Sequence, residues 1–411
     1  MGNLHFPASF RTILTSIQAE TDFENISPPN SPDSGRASSN RHRNRGYALN
    51  EVLHLSDSIF ESMFKLSRPG FEDLLNILSP LLHNTNEDMA IRSSGSVVSK
   101  RTKLYATLRW LAGGSYLDIC FAWGVSKSAF FSDAFDKGVV WPIIDAIDGA
   151  FKIGLPLQNV NELQKLANEF AILSHCELLG CVTAIDGWVA QTRKPFPSEV
   201  DDILSFRNRH GCWGLVVLAG CDARCRFTMF SCKNSGSTND CIAWELSHLK
   251  QLIIDEGRLP EQFFLIGDEA FSCCNELLVP YSGRGLGTWK DSYNYHLSAM
   301  RQVIERAFAI LVQRWGILWR VIKCSANKWS KLLAVLAKLH NFCLDKNIPL
   351  HRHRFYEDEE PDDEPEVLLN EDDEPEARAN TYSNRRASFT RELEHKGIRR
   401  PRHAILNSRA N

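Results

Sequence analysis

Cys181-Val-Thr-Ala-Ile185-Asp186-Gly187 decides how this 411-residue chain is read. It is a short apolar run of β-forming residues that stops at an Asp-Gly pair, the pattern of a strand leading into a turn. Two more such runs follow at residues 212–219 and 226–233, separated by Gly220-Cys-Asp222-Ala, whose glycine and aspartate suit a hairpin. Three neighbouring strands are expected. Ser237 or Thr238 then caps a helical stretch over about 241–255, with Ile242, Leu246, Leu249 and Ile253 on one face. A fourth strand at 262–267 ends in Asp268, and a short fifth is expected at 277–280. Beyond a glycine-rich loop, a long helix over about 298–315 carries Met300, Ile304, Phe308, Leu311 and Trp315 as its apolar stripe. This order of elements predicts an α/β unit on a mixed sheet.

Upstream, the apolar spacing is helical. Leu104, Leu108 and Leu111 recur every three to four residues, and Tyr116, Ile119, Cys120 and Trp123 do so after the break at Gly113-Gly114. Residues 115–123, the turn Gly124-Val125-Ser126 and residues 127–139 outline a helix-turn-helix in which Ser126 caps a helix presenting Lys127, Ser128 and Phe131. An ordinary bundle with Phe130 and Phe131 in its core fits the same spacing. Residues 155–173 form a further amphipathic helix. The chain thus divides into a Ser/Pro-rich basic arm (1–46), a helical region (47–175) with the helix-turn-helix at about 101–140, an α/β domain (176–346) and an acidic-then-basic tail (347–411). Both terminal segments are poor in residues that bury area, so disordered arms are expected.

With 43% hydrophobic and 10% aromatic residues the chain can build a sizeable core, which excludes collagen-like or wholly disordered classes. No apolar stretch reaches the length of a membrane span, and the N-terminus lacks the basic-then-apolar layout of a secretory signal, so an intracellular protein is expected. The 12 cysteines form no CxxC pair and read as buried thiols. Cys221 with Cys225 lacks a second ligand pair for zinc. The net charge of −3 hides an asymmetry: residues 357–376 hold 13 acidic residues and no basic one. The rest of the chain sets 47 basic against 37 acidic residues, a cationic body with a surplus of 10.

Asp186 and Asp268 stand at two expected strand ends, and Glu305 lies on the long helix just off its stripe. Carboxylates so placed can converge at one edge of a mixed sheet. Their hard oxygens suit Mg²⁺ or Mn²⁺, and two such ions about 4 Å apart activate the attacking oxygen and stabilise the leaving oxygen of a phosphodiester. Taken singly, each has a plainer role: a turn for Asp186-Gly187, a helix cap for Asp268, and for Glu305 a surface pair with Arg301 four residues earlier.

Thr183-Ala-Ile-Asp186-Gly187, Asn234-Ser-Gly-Ser-Thr-Asn-Asp240, Leu265-Ile-Gly-Asp268, Met300-Arg-Gln-Val-Ile-Glu305-Arg-Ala-Phe308 and Leu339-His-Asn-Phe342 together resemble the PIF/Harbinger transposases of the DDE superfamily. The resemblance implies an RNase H-like mixed-sheet catalytic core and a triad of Asp186, Asp268 and Glu305 holding two divalent cations. Asp240 matches a Gly-Ser-x-His-Asp segment with Asn239 at the His position, which implies a supporting role. The chain departs from the family in having Trp188 after Asp-Gly, Glu269-Ala270-Phe271 after the second aspartate, and Ala309 after Phe308. None of these removes a carboxylate.

A metal-dependent nuclease that cleaves and joins DNA is therefore the leading function. A domesticated, non-catalytic DNA-binding regulator is the alternative, and a nuclease on RNA hybrids a third class disfavoured by the motifs. Candidate phosphate contacts are Lys127, Arg193, Lys194, Arg207, Arg209, Arg284 and Lys290. Gly283-Arg-Gly-Leu-Gly287 lacks the Gly-Lys-Ser/Thr ending of a nucleotide-binding loop. The resemblance further implies double-stranded DNA as partner, a Myb-like accessory protein, a homo-oligomer on DNA and a nuclear location.

The charge asymmetry has a measurable consequence. An anionic block tethered to a cationic body competes with DNA for it, so deleting residues 357–376 is expected to raise affinity for random duplex at low salt. Most of the gain disappears at high salt. Binding titrations across a salt series check this; superimposable curves for the two proteins would leave the block a solubilising role only.

Overall fold

The computed structural model describes residues 45–82, 98–133, 138–175, 177–283, 285–350 and 383–401. Among the described residues eight α-helices precede the sheet: α1 (Arg45–His54), α2 (Asp57–Phe64), α3 (Arg68–Leu78), α4 (Lys100–Leu111), α5 (Tyr116–Ala122), α6 (Lys127–Phe130), α7 (Val140–Ala150) and α8 (Val160–Leu173). Then come β1 (Cys181–Gln191), β2 (Gly214–Cys221), β3 (Phe227–Ser235), α9 (Asp240–Glu245), α10 (His248–Lys250), β4 (Phe264–Ile266) and β5 (Leu277–Leu278). α11 (Thr288–Arg314), α12 (Ala326–Asp345) and α13 (Asn384–Lys396) follow.

The sheet order is β3-β2-β1-β4-β5. β1, β2 and β3 form an antiparallel meander, whereas β4 pairs parallel to β1 and β5 parallel to β4. This mixed α/β arrangement is consistent with an RNase H-like core. Each face of the sheet carries its own apolar cluster. On one face Ala184, Val217 and Phe227 pack with Ile304, Phe308 and Trp315 of α11, with Leu333 and Leu336 of α12, and onward with Phe64, Leu104 and Ile143 of the N-terminal helices. On the other, Val182, Ile185 and Leu218 pack with Leu163 of α8, Trp244 of α9 and Phe271. The five residues of the expected stripe on the long helix are all buried, as their spacing requires.

Several expectations need correction. β1 does not stop at Asp186-Gly187 but runs on to Gln191, because its second half finds a full antiparallel partner in β2, with Asp186 opposite Ala219 and Gln191 opposite Gly214. The helical stretch after β3 is capped by Asn239, whose side chain accepts from the Ile242 N–H at 2.8 Å, not by Ser237 or Thr238. It breaks at Ser247, which caps α10, and a single π-turn over Gln251–Asp255 follows. The break rotates the apolar face: Ala243 and Trp244 are buried, while Ile242 and Leu246 are exposed. α11 starts ten residues before the apolar stripe suggested, at Thr288.

The helix-turn-helix outline is only half present. Gly124 takes φ +57° at a tight turn and the Ser126 hydroxyl accepts from the Ala129 N–H at 3.2 Å. The helix it caps ends after one turn, however, with Phe130 buried and Phe131 stacked edge-on against it. Residues 134–137, the arm 1–44 and the acidic block all lie outside the described residues.

The tail also departs from its expected disorder. Ser383 caps α13, Gly397 ends it in the left-handed conformation, and Leu393 is 1% exposed. Composition misleads here because arginines hold the helix in place. The Arg385 guanidinium donates to the Phe263 carbonyl at 2.6 Å, Arg386 donates to the Pro280 carbonyl at 3.3 Å, and Arg400 pairs with Asp291 at 3.2 Å. Phe389 meets Phe264 with ring centroids 5.5 Å apart. Leu393→Ala is expected to destabilise the whole fold by about 2–4 kcal/mol, read by urea unfolding. A tail that is only an appendage would leave the midpoint unchanged.

Candidate active site

Strand register sets the positions of the two aspartates. Thr183 and Ala184 of β1 pair in parallel with Leu265 and Ile266 of β4. Two residues beyond the last pair stand Asp186 on one strand and Asp268 on the other, so both carboxylates leave the sheet at the same level. The Gly267 N–H donates to the Leu278 carbonyl at 3.0 Å, which carries the ladder up to Asp268. Asp186 is nevertheless mid-strand and 6% exposed, with its Oδ1 accepting from the Gly187 N–H at 2.8 Å.

Side chains alternate across a strand, so Asp186 faces α11 and the Gly187 α-carbon faces the opposite side. On that opposite side the Asp240 carboxylate rests directly on Gly187: a Cβ there would meet Asp240 Oδ1 at 1.9 Å. Gly187 is thus required for close approach, not only for a turn. Asp240 is the first residue of α9, where the free N–H groups of the first turn favour a carboxylate. On the α11 side, Arg301 lies between two acids. Its Nη1 is 3.6 Å from Asp186 Oδ2 and its Nη2 is 3.2 Å from Glu305 Oε1.

The electrostatics follow from this crowding. Burial pushes the Asp186 carboxyl up to about 8, reinforced by the charges of Asp268 and Asp240 and opposed by Arg301 and the Gly187 N–H. Asp240 is raised to about 6, first by burial and then by Asp268, with Arg209 opposing. Asp268 is raised mainly by burial, while the Ala270 N–H and Arg301 hold it back and Glu269 adds to the rise. Asp268 therefore stands in the field of acids on both faces. Chemically, the carboxylates of Asp186, Asp268 and Glu305, the three acids that feel or touch Arg301, are the donor type of a Mg²⁺ or Mn²⁺ site. Their spacing is another matter: among the described residues no three His, Cys, Asp or Glu side chains lie close enough together to hold an ion.

The expected phosphate contacts scatter. Arg193 is engaged internally, its Nη2 2.5 Å from Glu199 Oε1 and its guanidinium 4.3 Å from the Phe196 ring centroid. That pairing holds the Glu199 carboxyl down at about 2, and Glu199 also accepts from the Ala326 N–H, tying the loop after β1 to α12. Lys194 lies over the Trp213 ring, Lys127 over Tyr116 and Lys290 over Tyr281. Arg207 donates to the Gly211 carbonyl at 3.3 Å, and Arg209 is the cation of this group whose field reaches Asp240. Arg284 lies outside the described residues.

Sequence reasoning took Arg301 only as a surface partner of Glu305 and missed its reach to Asp186. The i,i+4 spacing signals the first contact, but nothing local signals the second. It also left Leu339-His-Asn-Phe342 without a physical role. Asn341 Oδ1 accepts from the Phe227 N–H and its Nδ2 donates to the Phe227 carbonyl, both at 2.8 Å, so one side-chain amide acts as a further ladder rung on the edge strand β3. His340 bonds the Cys225 carbonyl at 2.8 Å, and its burial lowers its pKa to about 4.

Residues 185–341 match the family model described as DDE superfamily endonuclease. The match begins inside β1 and ends on α12 at Asn341, and it supports the superfamily for this part of the chain. No curated protein and no solved structure matches. Among the described residues no helix is long and apolar enough to cross a membrane.

The raised Asp186 pKa fixes the sign of a stability effect. The folded protein keeps a proton up to about pH 8 that the unfolded chain releases near 3.8. This group's contribution is therefore largest at low pH and is lost as pH rises through that window. In chelator, Asp186→Asn is expected to be more stable than wild type at pH 8 by on the order of 2–4 kcal/mol, with the difference shrinking toward pH 4. Denaturant melts at several pH values check it; parallel curves would mean that Asp186 ionises freely.

Proposed function

We propose that this protein is a DDE-type transposase or endonuclease that cleaves and joins DNA phosphodiesters, with Asp186, Asp268 and Glu305 as the residues that hold two divalent cations, Mg²⁺ or Mn²⁺. The observation that carries the reading is the level placement of Asp186 and Asp268 on adjacent parallel strands, with Glu305 of α11 linked to Asp186 through Arg301, inside the stretch matched to endonucleases. When bound, such a metal pair supplies Lewis-acid activation of the attacking oxygen and charge stabilisation of the leaving one.

The chain's own groups do the rest. Asp186 is rigidly held, mid-strand and water-poor, so its orientation is set before substrate arrives. Asp240 backs it through Gly187 and has a supporting role. Arg209, exposed on the connection between β1 and β2 and near enough to act on Asp240, offers a cation to a phosphate backbone beside the acids. Hydrolysis at element ends followed by attack of the freed 3′-hydroxyl on target DNA is the reaction sequence we assign, with double-stranded DNA as substrate. The subtype is PIF/Harbinger, on the motifs around Asp186, Asp240 and Glu305. A nuclear location, a homo-oligomer on DNA and a Myb-like accessory protein accompany that subtype.

Cleavage of duplex carrying the matching terminal repeats is expected to require Mg²⁺ or Mn²⁺, and Asp186→Asn is expected to lower it by roughly a hundredfold or more. The substitution keeps the shape and removes the anion. Gel-based cleavage assays decide it: equal rates for the two proteins, or full activity in chelator, would overturn the metal-dependent reading. Duplex binding with no cleavage by wild type would favour a non-catalytic regulator.

A further inference from the structure

Arg301 and Glu305 stand one turn apart on α11, and Arg301 reaches Asp186 of β1. An ordinary i,i+4 pair would end there and be worth a few tenths of a kcal/mol. Here the guanidinium goes further, with one nitrogen 3.2 Å from Glu305 and the other 3.6 Å from Asp186 on a different element. The Arg301 side chain is 23% exposed and that of Asp186 8%, so the second contact is screened little by solvent. A planar guanidinium can serve two acids at once, which a lysine ammonium at the same place cannot do in the same geometry. The two acids it bridges are two of the three assigned to the metal pair.

We propose that Arg301 is the resident cation of the carboxylate site: it pairs with Glu305 and stands against Asp186, and it must leave both before they close on a divalent ion. The inference rests on the metal-dependent reading above. It accounts for a set of acids of the right chemistry that are not spaced to hold an ion. Arg301 acts through the two carboxylates and is a positioning residue. Because the bridged form must be opened first, the measured ion affinity is lowered by the fraction of molecules already open.

Calorimetric titration of the full-length protein with Ca²⁺, a divalent ion that likewise takes carboxylate oxygens, tests this directly. Arg301→Gln removes the charge and is expected to bind Ca²⁺ about tenfold more tightly than wild type, with Arg301→Lys in between. Equal or weaker binding by Arg301→Gln overturns the proposal, since a merely structural arginine gives no gain in affinity. Should Arg301→Gln fail to fold, Arg301→Lys decides: tighter than wild type supports the proposal, and unchanged or weaker overturns it. Asp186→Asn separates this inference from the reading it rests on. If Asp186→Asn weakens Ca²⁺ binding while Arg301→Gln leaves it unchanged, the metal site stands and the counter-ion role falls. If Asp186→Asn binds as wild type does, or no protein binds Ca²⁺, both fall.

Discussion

The parallel pairing of β1 with β4 is the contact on which the site depends. It is short, with β4 contributing only Phe264–Ile266, yet it sets the level at which Asp186 and Asp268 emerge. A slip of one residue would turn Asp186 to the other face of the sheet, away from α11. The burial on both faces of β1 forbids that slip, since Ala184 and Ile185 each belong to a separate apolar cluster.

Once the register is set, the electrostatics are dictated by crowding. Asp186, Asp240 and Asp268 lie within one another's fields in a poorly solvated place, and Gly187 lets Asp240 come closer than any side chain would permit. Like charges held this way favour protonation or a nearby cation. Arg301 answers on the α11 side and Arg209 on the α9 side, so the sheet separates two counter-charges that serve one acidic group.

Segments remote in sequence secure the sheet at both ends of its strand order. Asn341 supplies a side-chain rung to edge strand β3, which reduces the liability of open backbone groups. At the other end α13 binds the loops flanking β4 and β5 through arginine-to-carbonyl contacts. The α11 helix runs between these two supports, with Ser292 near its start bonded to the Ile398 carbonyl and Arg314 at its end bonded to the Ile348 carbonyl. Glu305 and Arg301 are therefore presented by a rigid rod.

The sequence by itself determined the strand runs, the three apolar elements before Asp240 and the long stripe from Met300 to Trp315, and it singled out Asp186, Asp268 and Glu305 as candidate acids, because periodicity and residue chemistry are local properties. It also carried the marks of α13 in Ser383 and Gly397, though a basic composition concealed them. Only the tertiary structure decided that β1 continues past Asp186, that Asp240 sits across the sheet on Gly187, and that Arg301 spans two acids. Each of these turns on a partner far along the chain: β2 for the strand, α9 for the glycine, β1 for the arginine. Local spacing is blind to which distant element supplies the other half of a contact, and in this protein those halves set the charge of the site.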